Sequence, residues 1–354
     1  GLSLVYSQLV GFVGDEIYFS TIPQFICGKT FGEMQFHFQR SVPIGVRRSD
    51  LIMLNPKPET VLEEGDEAIV IAEDDSTIHF FEQPVVEPTE LSYSENKVLP
   101  KIEKYLIFGW NRKLPILVDE YSGYIHDGSV IDIIVPRKSD AMERIFQQLS
   151  SKHPKVRMTL QQVNPSMSNF PGRLYPHRYD NVIIMAGENG TTEEIDSETI
   201  SMLLKFRHFF REVRNKGEEV HTQLITEVMD SANAQIIQQS GVKDFLVSNQ
   251  FVSKMMAQIS EDPDVNLVYE DLFREDGSET YLKPAWLYFE NLPAELSFAD
   301  VMLAAQKRNE VCFGLKIKSE EYEPKFGIHI IPKKDEVFNL EEGDMLIVLA
   351  EDEY

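Results

Sequence analysis

The sequence predicts an α/β protein in which a Rossmann-like parallel-sheet domain is flanked by two copies of a small β-rich α+β lobe. Strand-like apolar runs alternate with helical patterns through the middle of the chain, as in a mainly parallel sheet. One block near the start recurs near the end in the same context. The expected parts are a first lobe over 1–81, a linker over 82–100, the α/β domain over 101–241, a helix pair over 242–275 and a second lobe over 276–354.

The composition allows two or three packed domains, since 42% of the 354 residues are hydrophobic. The net charge of −24 argues against nucleic-acid partners and against direct binding to anionic lipid. It is compatible with cation binding or with simple solubility. Cys27 and Cys312 cannot form a disulfide framework, which suggests a reducing compartment. No apolar run approaches the ~20 residues that span a bilayer, so we expect this chain to be soluble as given.

The first lobe is predicted as short strands around one helix. The helix is expected over Thr30–Arg40, where Thr30 is the N-cap and Glu33 completes a capping box. The expected strands are Asp15–Phe19, Ser41–Val46, Leu51–Leu54 and Glu67–Ala72. Pro84, Pro88 and Pro100 then fall among acidic and polar residues, which is typical of a linker.

The α/β domain opens with a strand over Tyr105–Phe108, a tight turn and a helix, the unit that cradles a dinucleotide in many doubly wound domains. A cradling turn requires G-x-G-x-x-G, whereas this turn reads G-W-N-R-K-L and keeps one glycine of three. The second strand ends at Pro136-Arg137 and lacks the usual ribose-binding acid. We therefore expect a degenerate nucleotide loop that does not function, formed by Gly109, Trp110, Asn111 and Arg112.

The rest of this domain continues the alternation. Ser139 is the expected cap of a helix over Asp140–Leu149, and Asp196 or Ser197 the expected cap of a long helix that ends at Asn215. The remaining expected elements are strands over Val130–Val135, Val156–Val163, Asn181–Ala186 and Val220–Met229, and helices over Ala232–Ser240, Asn249–Ile259 and Val265–Phe273.

A repeat sets the domain plan. The block L-E-E-G-D occurs at 62–66 and again at 340–344, each time before an apolar strand that ends in acids. Thr30–Arg40 likewise matches Ser297–Lys307. Gly permits a positive φ in such a turn and Asp can accept hydrogen bonds from the turn backbone. Two copies in matching order indicate a duplicated lobe.

Acidic residues at strand ends are the candidate cation ligands, because Ca²⁺ requires several converging oxygen ligands. They fall in three groups: Glu73, Asp74 and Asp75 after one lobe strand, Glu351 and Asp352 at the equivalent place, and Glu188, Glu193, Glu194 and Asp196 at the carboxyl edge of the parallel sheet. The alternative for each is a solvated acidic turn or a helix cap. No EF-hand loop, metal-type histidine spacing or G-x-S-x-G motif is present, so we expect no enzyme activity.

Several separate blocks, in the right order, resemble the CASTOR/POLLUX ion-channel family and its RCK (regulator of K⁺ conductance) domains. The resemblance covers nearly the whole chain. It is carried by 1–6, Ile52–Pro56, Phe108-Gly109-Trp110, Phe245–Ser253 and the stretch from Glu270–Phe273 to Asp300–Leu303.

This resemblance implies the regulatory part of a ligand-gated cation channel, with Ca²⁺ as the expected ligand. It implies tandem RCK domains that assemble as a tetrameric ring at the cytoplasmic face of a membrane and act on a pore-forming transmembrane region. It also implies a dimer through the crossover helices, with Phe251, Met255, Met256, Ile259, Val268 and Leu272 either at that dimer face or in an intradomain core. Pore helices and the first Rossmann half are not seen, which suggests a fragment or an upstream loss.

Two alternatives remain. A soluble TrkA-like regulator of ion transport would bind NAD(H) or an adenine nucleotide saturably, which the degenerate turn disfavours. A Rossmann oxidoreductase would need a cofactor and an acid/base residue, and neither is visible in the sequence.

Overall fold

The computed structural model describes residues 5–6, 9, 14–89, 91–97, 101–167, 170–230, 245–274, 277–321, 323 and 325–351. The chain divides into two compact units. One unit joins Gly1–Leu99 to Lys254–Tyr354 and contains both β-rich lobes, and the other, Pro100–Ser253, contains the parallel sheet.

The first lobe is a four-stranded antiparallel sheet with one short helix. Its elements are β1 (Glu16–Thr21), α1 (Phe31–Met34), β2 (Val42–Arg48), β3 (Leu51–Leu54) and β4 (Glu67–Ala72), and the strand order is β1-β4-β2-β3. Thr30 caps α1 through the predicted capping box with Glu33. The helix is shorter than predicted, because it tightens into a 3₁₀ turn over Gln35–His37 and the chain then extends at Phe38, whose side chain is fully buried.

The second unit is a six-stranded, entirely parallel sheet. Its strands are β5 (Lys104–Phe108), β6 (Val130–Val135), β7 (Arg157–Gln162), β8 (Asn181–Ile184), β9 (Gln223–Val228) and β10 (Phe245–Val247), in the order β10-β9-β8-β5-β6-β7. This is the order of the doubly wound dinucleotide-binding fold, so the predicted fold class is confirmed. The expected helix at Ala232–Ser240 lies outside the described residues.

Helices cover both faces of this sheet. They are α2 (Leu114–Tyr124) and α3 (Asp140–Lys152) on one face and α4 (Thr192–Asn215) on the other. Ser139 caps α3 as predicted. The predicted start of α4 is wrong: Thr191 is the cap, because its hydroxyl accepts the amide of Glu194 while the Glu194 carboxylate accepts the amide of Thr191. Asp196 consequently lies inside the helix.

The second lobe follows α5 (Ser248–Glu261) and α6 (Val265–Leu272) and repeats the first. Its elements are β11 (Glu279–Pro284), β12 (Ala294–Ser297), α7 (Phe298–Gln306), β13 (Val311–Lys316), β14 (Ile328–Ile330), β15 (Val337–Leu340) and β16 (Met345–Ala350). The main sheet has the order β11-β16-β13-β14, which matches the first lobe strand for strand. The equivalent strands of the two lobes also carry a register shift at the same place, before Gly45 in β2 and before Gly314 in β13.

The duplicated turns have the same internal bonding. The carboxylate of Asp66 accepts the backbone amide of Glu63 over 2.8 Å, and the carboxylate of Asp344 accepts that of Glu341 over 2.8 Å. Each aspartate is nearly fully buried. The predicted role of the aspartate is confirmed, since each carboxylate satisfies the backbone of its own turn. The predicted positive φ occurs at Gly65, at +91°, but not at Gly343.

The two lobes pack on each other inside their unit. Asn55 Nδ2 of the first lobe donates to the carbonyl oxygen of Asn309 over 3.0 Å, and Gln306 Nε2 of the second donates to Gln35 Oε1 over 2.7 Å. Lys334 Nζ donates to the carbonyl oxygen of Ser41 over 2.9 Å. The duplicated lobes therefore share a buried, hydrogen-bonded interface.

Candidate functional site

The degenerate nucleotide loop lies at the carboxyl edge of β5, where the predicted tight turn occurs. Gly109 has a φ of +103°, and a Cβ there would lie 3.0 Å from the carbonyl oxygen of Met185. The glycine is thus required by the close approach of neighbouring backbone. Trp110 packs against the apolar core on the side of α2 and α3. The turn therefore serves the packing of the sheet.

A buried carboxylate fills the space behind this turn. Glu227, at the end of β9, accepts hydrogen bonds from Asn111 Nδ2 over 3.1 Å and from the amide of Ala186 over 3.2 Å. Its other oxygen is 2.5 Å from Lys113 Nζ. Asn111 Nδ2 also donates to the carbonyl oxygen of Ala186 over 2.9 Å. The polar groups at this edge are therefore bonded to one another.

A second carboxylate lies at the outer side of the same turn. The amide of Arg112 donates to Glu188 Oε1 over 2.5 Å, while the Arg112 side chain is almost fully exposed. In a dinucleotide-binding turn, such amides face a pyrophosphate. Here the carboxylate of Glu188 takes the place of the pyrophosphate, so this amide is already bonded within the protein.

The other predicted acids of the parallel sheet have structural partners. Glu194 belongs to the capping box of α4, and Glu193 is an exposed residue of its first turn. Asp196 is buried, and its two oxygens accept the amides of Met229 over 2.8 Å and Asp230 over 3.0 Å. Asp196 of α4 therefore forms hydrogen bonds with the chain segment that follows β9.

The acids that end the lobe strands are exposed. Asp74 caps a short 3₁₀ turn over Asp75–Thr77, and hydrogen bonds from the Ser76 hydroxyl and amide lower the pKa of its carboxyl. Glu351 is exposed, and Asp352 lies outside the described residues. Glu73 is the member of this set that borders a cavity.

This cavity is a cleft of about 390 Å³ between the two lobes. Its lining comes from Gly14, Asp15, Arg40 and Glu73 of the first lobe and Lys325, Ile328–Lys333 and Glu336 of the second. Burial, and then the nearby Glu73 carboxylate, raise the pKa of Asp15 to about 6, while Lys325 opposes the rise. Sequence reasoning did not find Asp15, because the cleft exists only where segments far apart in sequence meet.

The described acids do not converge on one point. Within the ranges that the structure describes, no group of three or more His, Cys, Asp and Glu side chains is arranged to hold a metal ion. The cation-ligand set thus stays a prediction. Of its members, the exposed Glu73 lines the same cavity as the partly buried Asp15 of its own lobe.

The six apolar residues expected on the helix pair are divided between two environments. Val268 and Leu272 of α6 are buried, whereas Met256 of α5 is 64% exposed. Phe251, Met255 and Ile259 are partly buried. Val268 and Leu272 therefore belong to the intradomain core, whereas the exposed Met256 contributes to an apolar surface on α5.

Among the helices in the described part of the chain, none combines the length and the apolar character needed to cross a bilayer.

Comparison with known proteins gives a consistent result. Residues 1–86 match the family model described as Castor and Pollux, part of voltage-gated ion channel. The chain is 26% identical over 365 residues to the probable ion channel POLLUX of Oryza sativa subsp. japonica, covering 91% of this chain and 36% of that protein. It is 26% identical over 354 residues to the ion channel CASTOR of Lotus japonicus, covering 91% of this chain and 41% of that protein. The chain thus spans well under half the length of these relatives.

A solved structure of the human SLO3 gating ring shares the fold. The TM-score is 0.63 at 13% sequence identity, and the match covers 98% of this chain and 68% of that one. At this identity the likeness concerns the fold alone. These findings confirm the resemblance predicted from the sequence: the chain is similar to the CASTOR/POLLUX ion channels and has the fold of RCK gating-ring domains.

Proposed function

We propose that this chain is the regulatory portion of a ligand-gated cation channel, which senses a ligand and passes the resulting change to a pore-forming transmembrane region. The observation that carries the proposal is the similarity of 91% of the chain to ion channels. The duplicated, paired lobes support it, because two packed modules can occupy more than one relative arrangement.

Ca²⁺ is the ligand that we propose. The predicted acids supply the hard oxygen ligands that Ca²⁺ prefers, and Asp15 and Glu73 already repel each other at the inter-lobe cleft. A cation between them would relieve that repulsion. Since these acids do not form a converged site in the present arrangement, Ca²⁺ would favour an arrangement that brings more oxygens together.

The assembly that we propose is a homo-oligomer at the cytoplasmic face of a membrane, with the exposed apolar surface of α5 at a dimer contact. The turn at the edge of the parallel sheet keeps one glycine, Gly109, which is packed closely against Met185. The carboxylates of Glu227 and Glu188 accept hydrogen bonds from Asn111 and Arg112 there, and these features disfavour the TrkA-like alternative. An oxidoreductase is disfavoured on the same grounds, since it too would place a dinucleotide there. We therefore propose regulation without enzyme activity.

Sedimentation velocity and calorimetric titration test this proposal. We expect millimolar Ca²⁺, but not Mg²⁺, to change the sedimentation coefficient and to give a saturable heat. The double variant Asp15→Asn, Glu73→Gln should weaken the response, whereas Glu64→Gln, an exposed acid in a nearby turn, should leave it unchanged. A wild-type protein indifferent to Ca²⁺ would contradict calcium sensing, and an unchanged response in the double variant would exclude the cleft as its site.

A further inference from the structure

The interface between the lobes contains a lysine in an unusual environment. The side chain of Lys334 is fully buried, and its amine donates to the carbonyl oxygen of Ser41 in the other lobe over 2.9 Å. The Nζ atom is 5.4 Å from the centre of the Phe298 ring. The backbone amide of Lys334 also donates to the carbonyl oxygen of Gln39 over 3.2 Å. Lys334 therefore contacts the first lobe through both its backbone and its side chain.

No described carboxylate forms an ion pair with this amine. Its neighbour Asp335 instead accepts a hydrogen bond from Gln39 Nε2 over 2.8 Å and is exposed. The contrast is Lys283, which is also buried but lies 3.0 Å from a carboxylate oxygen of Glu310. An ammonium group removed from water without a counter-charge is strongly unfavourable, and a single carbonyl oxygen leaves two of its three N–H donors unmet.

The duplicated lobes provide an internal comparison. In the first lobe the amide of Gly32 donates to the carbonyl oxygen of Pro58 over 2.9 Å, and in the second the amide of Ala299 donates to that of Lys334 over 2.9 Å. Pro58 is thus the structural counterpart of Lys334 and has no ionisable group. The backbone role is shared by both lobes, whereas the buried amine belongs to one.

Apart from the ring face of Phe298, the described groups around the amine do not compensate a positive charge. Cys312 on β13 is the titratable side chain that faces it, and burial raises the pKa of that thiol to about 12, so it is neutral at physiological pH. In the first-lobe segment that contacts Lys334, Arg40 is exposed, and its guanidinium nitrogen lies 3.9 Å from a carboxylate oxygen of Glu73. On the lysine's own segment, Lys333, Asp335 and Glu336 are exposed. Burial consequently lowers the pKa of Lys334 from 10.5 to about 7, against a small opposing effect of Cys312.

We infer that the inter-lobe interface is a proton-binding site in which the amine of Lys334 is the acceptor, and that protonation loosens the contact with Ser41. The inference does not depend on calcium sensing or on a pore. It adds the proton as a ligand that acts on the arrangement of the lobes. In the unprotonated state the amine carries no charge and donates one of its two N–H groups to Ser41, which is compatible with its buried position. The protonated amine requires water or a counter-charge that the closed interface does not supply.

The direction of the pH dependence follows from linkage. The unfolded chain takes up a proton on this lysine near pH 10.5, whereas the folded chain does so only near 7. The contribution of this group to stability therefore falls as the pH falls from about 10 to about 7, and it stays at its lower level in more acidic solution. Alkaline conditions favour the closed interface and mildly acidic conditions favour its opening.

The test compares the wild type with Lys334→Met, whose unbranched side chain is one atom shorter and cannot be protonated. Between pH 6 and pH 9 we expect the Tm of the wild type to rise by several degrees more than that of the variant (about 3–5 °C for each tenfold change in the folding equilibrium constant of a unit of about 200 residues). Lys333→Met removes the same charge from an exposed neighbour and should retain the wild-type profile. Hydrogen exchange, corrected for its intrinsic pH dependence, should increase in the 39–42 segment of the wild type at pH 6.

Three results would overturn the inference. One is a parallel pH profile of Tm in the wild type and Lys334→Met. Another is unchanged corrected exchange at 39–42 across this pH range. The third is a direct titration of the ¹⁵N-labelled lysine amine by NMR in the wild-type protein that places Lys334 near the ordinary lysine pKa, a measurement that stays decisive if the methionine variant does not fold.

Discussion

The side-chain amide of Asn111, in the first turn of the parallel sheet, donates a hydrogen bond to the carboxylate of Glu227 at the end of β9 over 3.1 Å. This bond joins two strand ends that flank the place where a doubly wound domain holds a dinucleotide. Because Lys113 and the amide of Ala186 contact the same carboxylate, the space is filled by the protein itself. The edge is thereby a structural joint.

The first prediction concerns this joint. Glu227→Ala removes the acceptor of two buried donors, Asn111 Nδ2 and the amide of Ala186, and of the half-exposed Lys113 amine. Leaving buried donors unmet costs about 1–3 kcal/mol of unfolding free energy. Urea unfolding of the full chain would measure it. Glu219→Ala is the control, because that side chain is 85% exposed and should change the free energy little. Equal effects of the two substitutions would show that the carboxylate network does not stabilise the sheet.

The second prediction concerns nucleotides. We expect no saturable heat when NAD⁺, NADH, ATP or AMP is titrated into the protein at up to millimolar concentration. The carboxylates of Glu188 and Glu227 already accept the hydrogen bonds of the Arg112 amide and the Asn111 side chain at this edge, so a phosphate would have to displace them. Saturable binding that is lost on substitution of Asn111 would contradict this and would favour the nucleotide-regulated alternative.

The third prediction concerns Asp66 and acid stability. Burial alone would raise the pKa of this carboxyl, but hydrogen bonds from Arg48 and from the amide of Glu63 hold it below its usual value. Its contribution to stability is therefore present above the unfolded pKa of about 4 and is lost as the pH falls through the lower folded pKa. We expect Asp66→Asn to cost about 1–3 kcal/mol at pH 7 and to flatten the acid limb below pH 4.

Unfolding free energies from pH 2 to pH 7 would check this prediction. Glu64→Gln is the matched control, because it removes an exposed acid from the same turn. An acid limb as steep in Asp66→Asn as in the wild type would assign the pH dependence to other groups.

The fourth prediction concerns the glycines at the two strand irregularities. A Cβ on Gly45 would lie 2.6 Å from the carbonyl oxygen of Met53, and one on Gly314 would lie 2.5 Å from that of His329. Backbone must shift in either case, so each alanine variant should lose about 1–3 kcal/mol, measured by thermal unfolding. Gly187→Ala should be neutral, because no atom lies within 4 Å of its Cβ position. Neutral Gly45→Ala would mean that the lobe sheet adapts easily.

Features that depend on nearby residues were predictable from the sequence. The repeated turns, the Thr30 cap and the alternation of strands with helices all rest on contacts within a few residues. The start of α4 was missed, although Thr191 and Glu194 carry the capping-box spacing, because Asp196 and Ser197 offered competing caps. The spacing of polar residues alone does not distinguish three competing caps within seven positions.

Features that depend on the meeting of distant segments were not predictable. Asp15 and Lys325 line one cleft although 310 positions separate them in the printed sequence. Lys333 and Lys334 are adjacent lysines with the same local pattern, yet one is exposed and the other is fully buried. Only the packing of one lobe on the other distinguishes them.

The two lobes have a proline and a lysine at equivalent positions, and this difference determines how many protons the interface between them binds. If the interface formed between two identical lobes, each lobe would contribute a lysine at this position. In this chain the two lobes differ there, because the first has Pro58 and the second has Lys334. Each chain therefore offers one such amine, and its proton uptake should follow a titration curve with a Hill slope of one. Any steeper response to pH would have to arise from coupling between chains in an assembly.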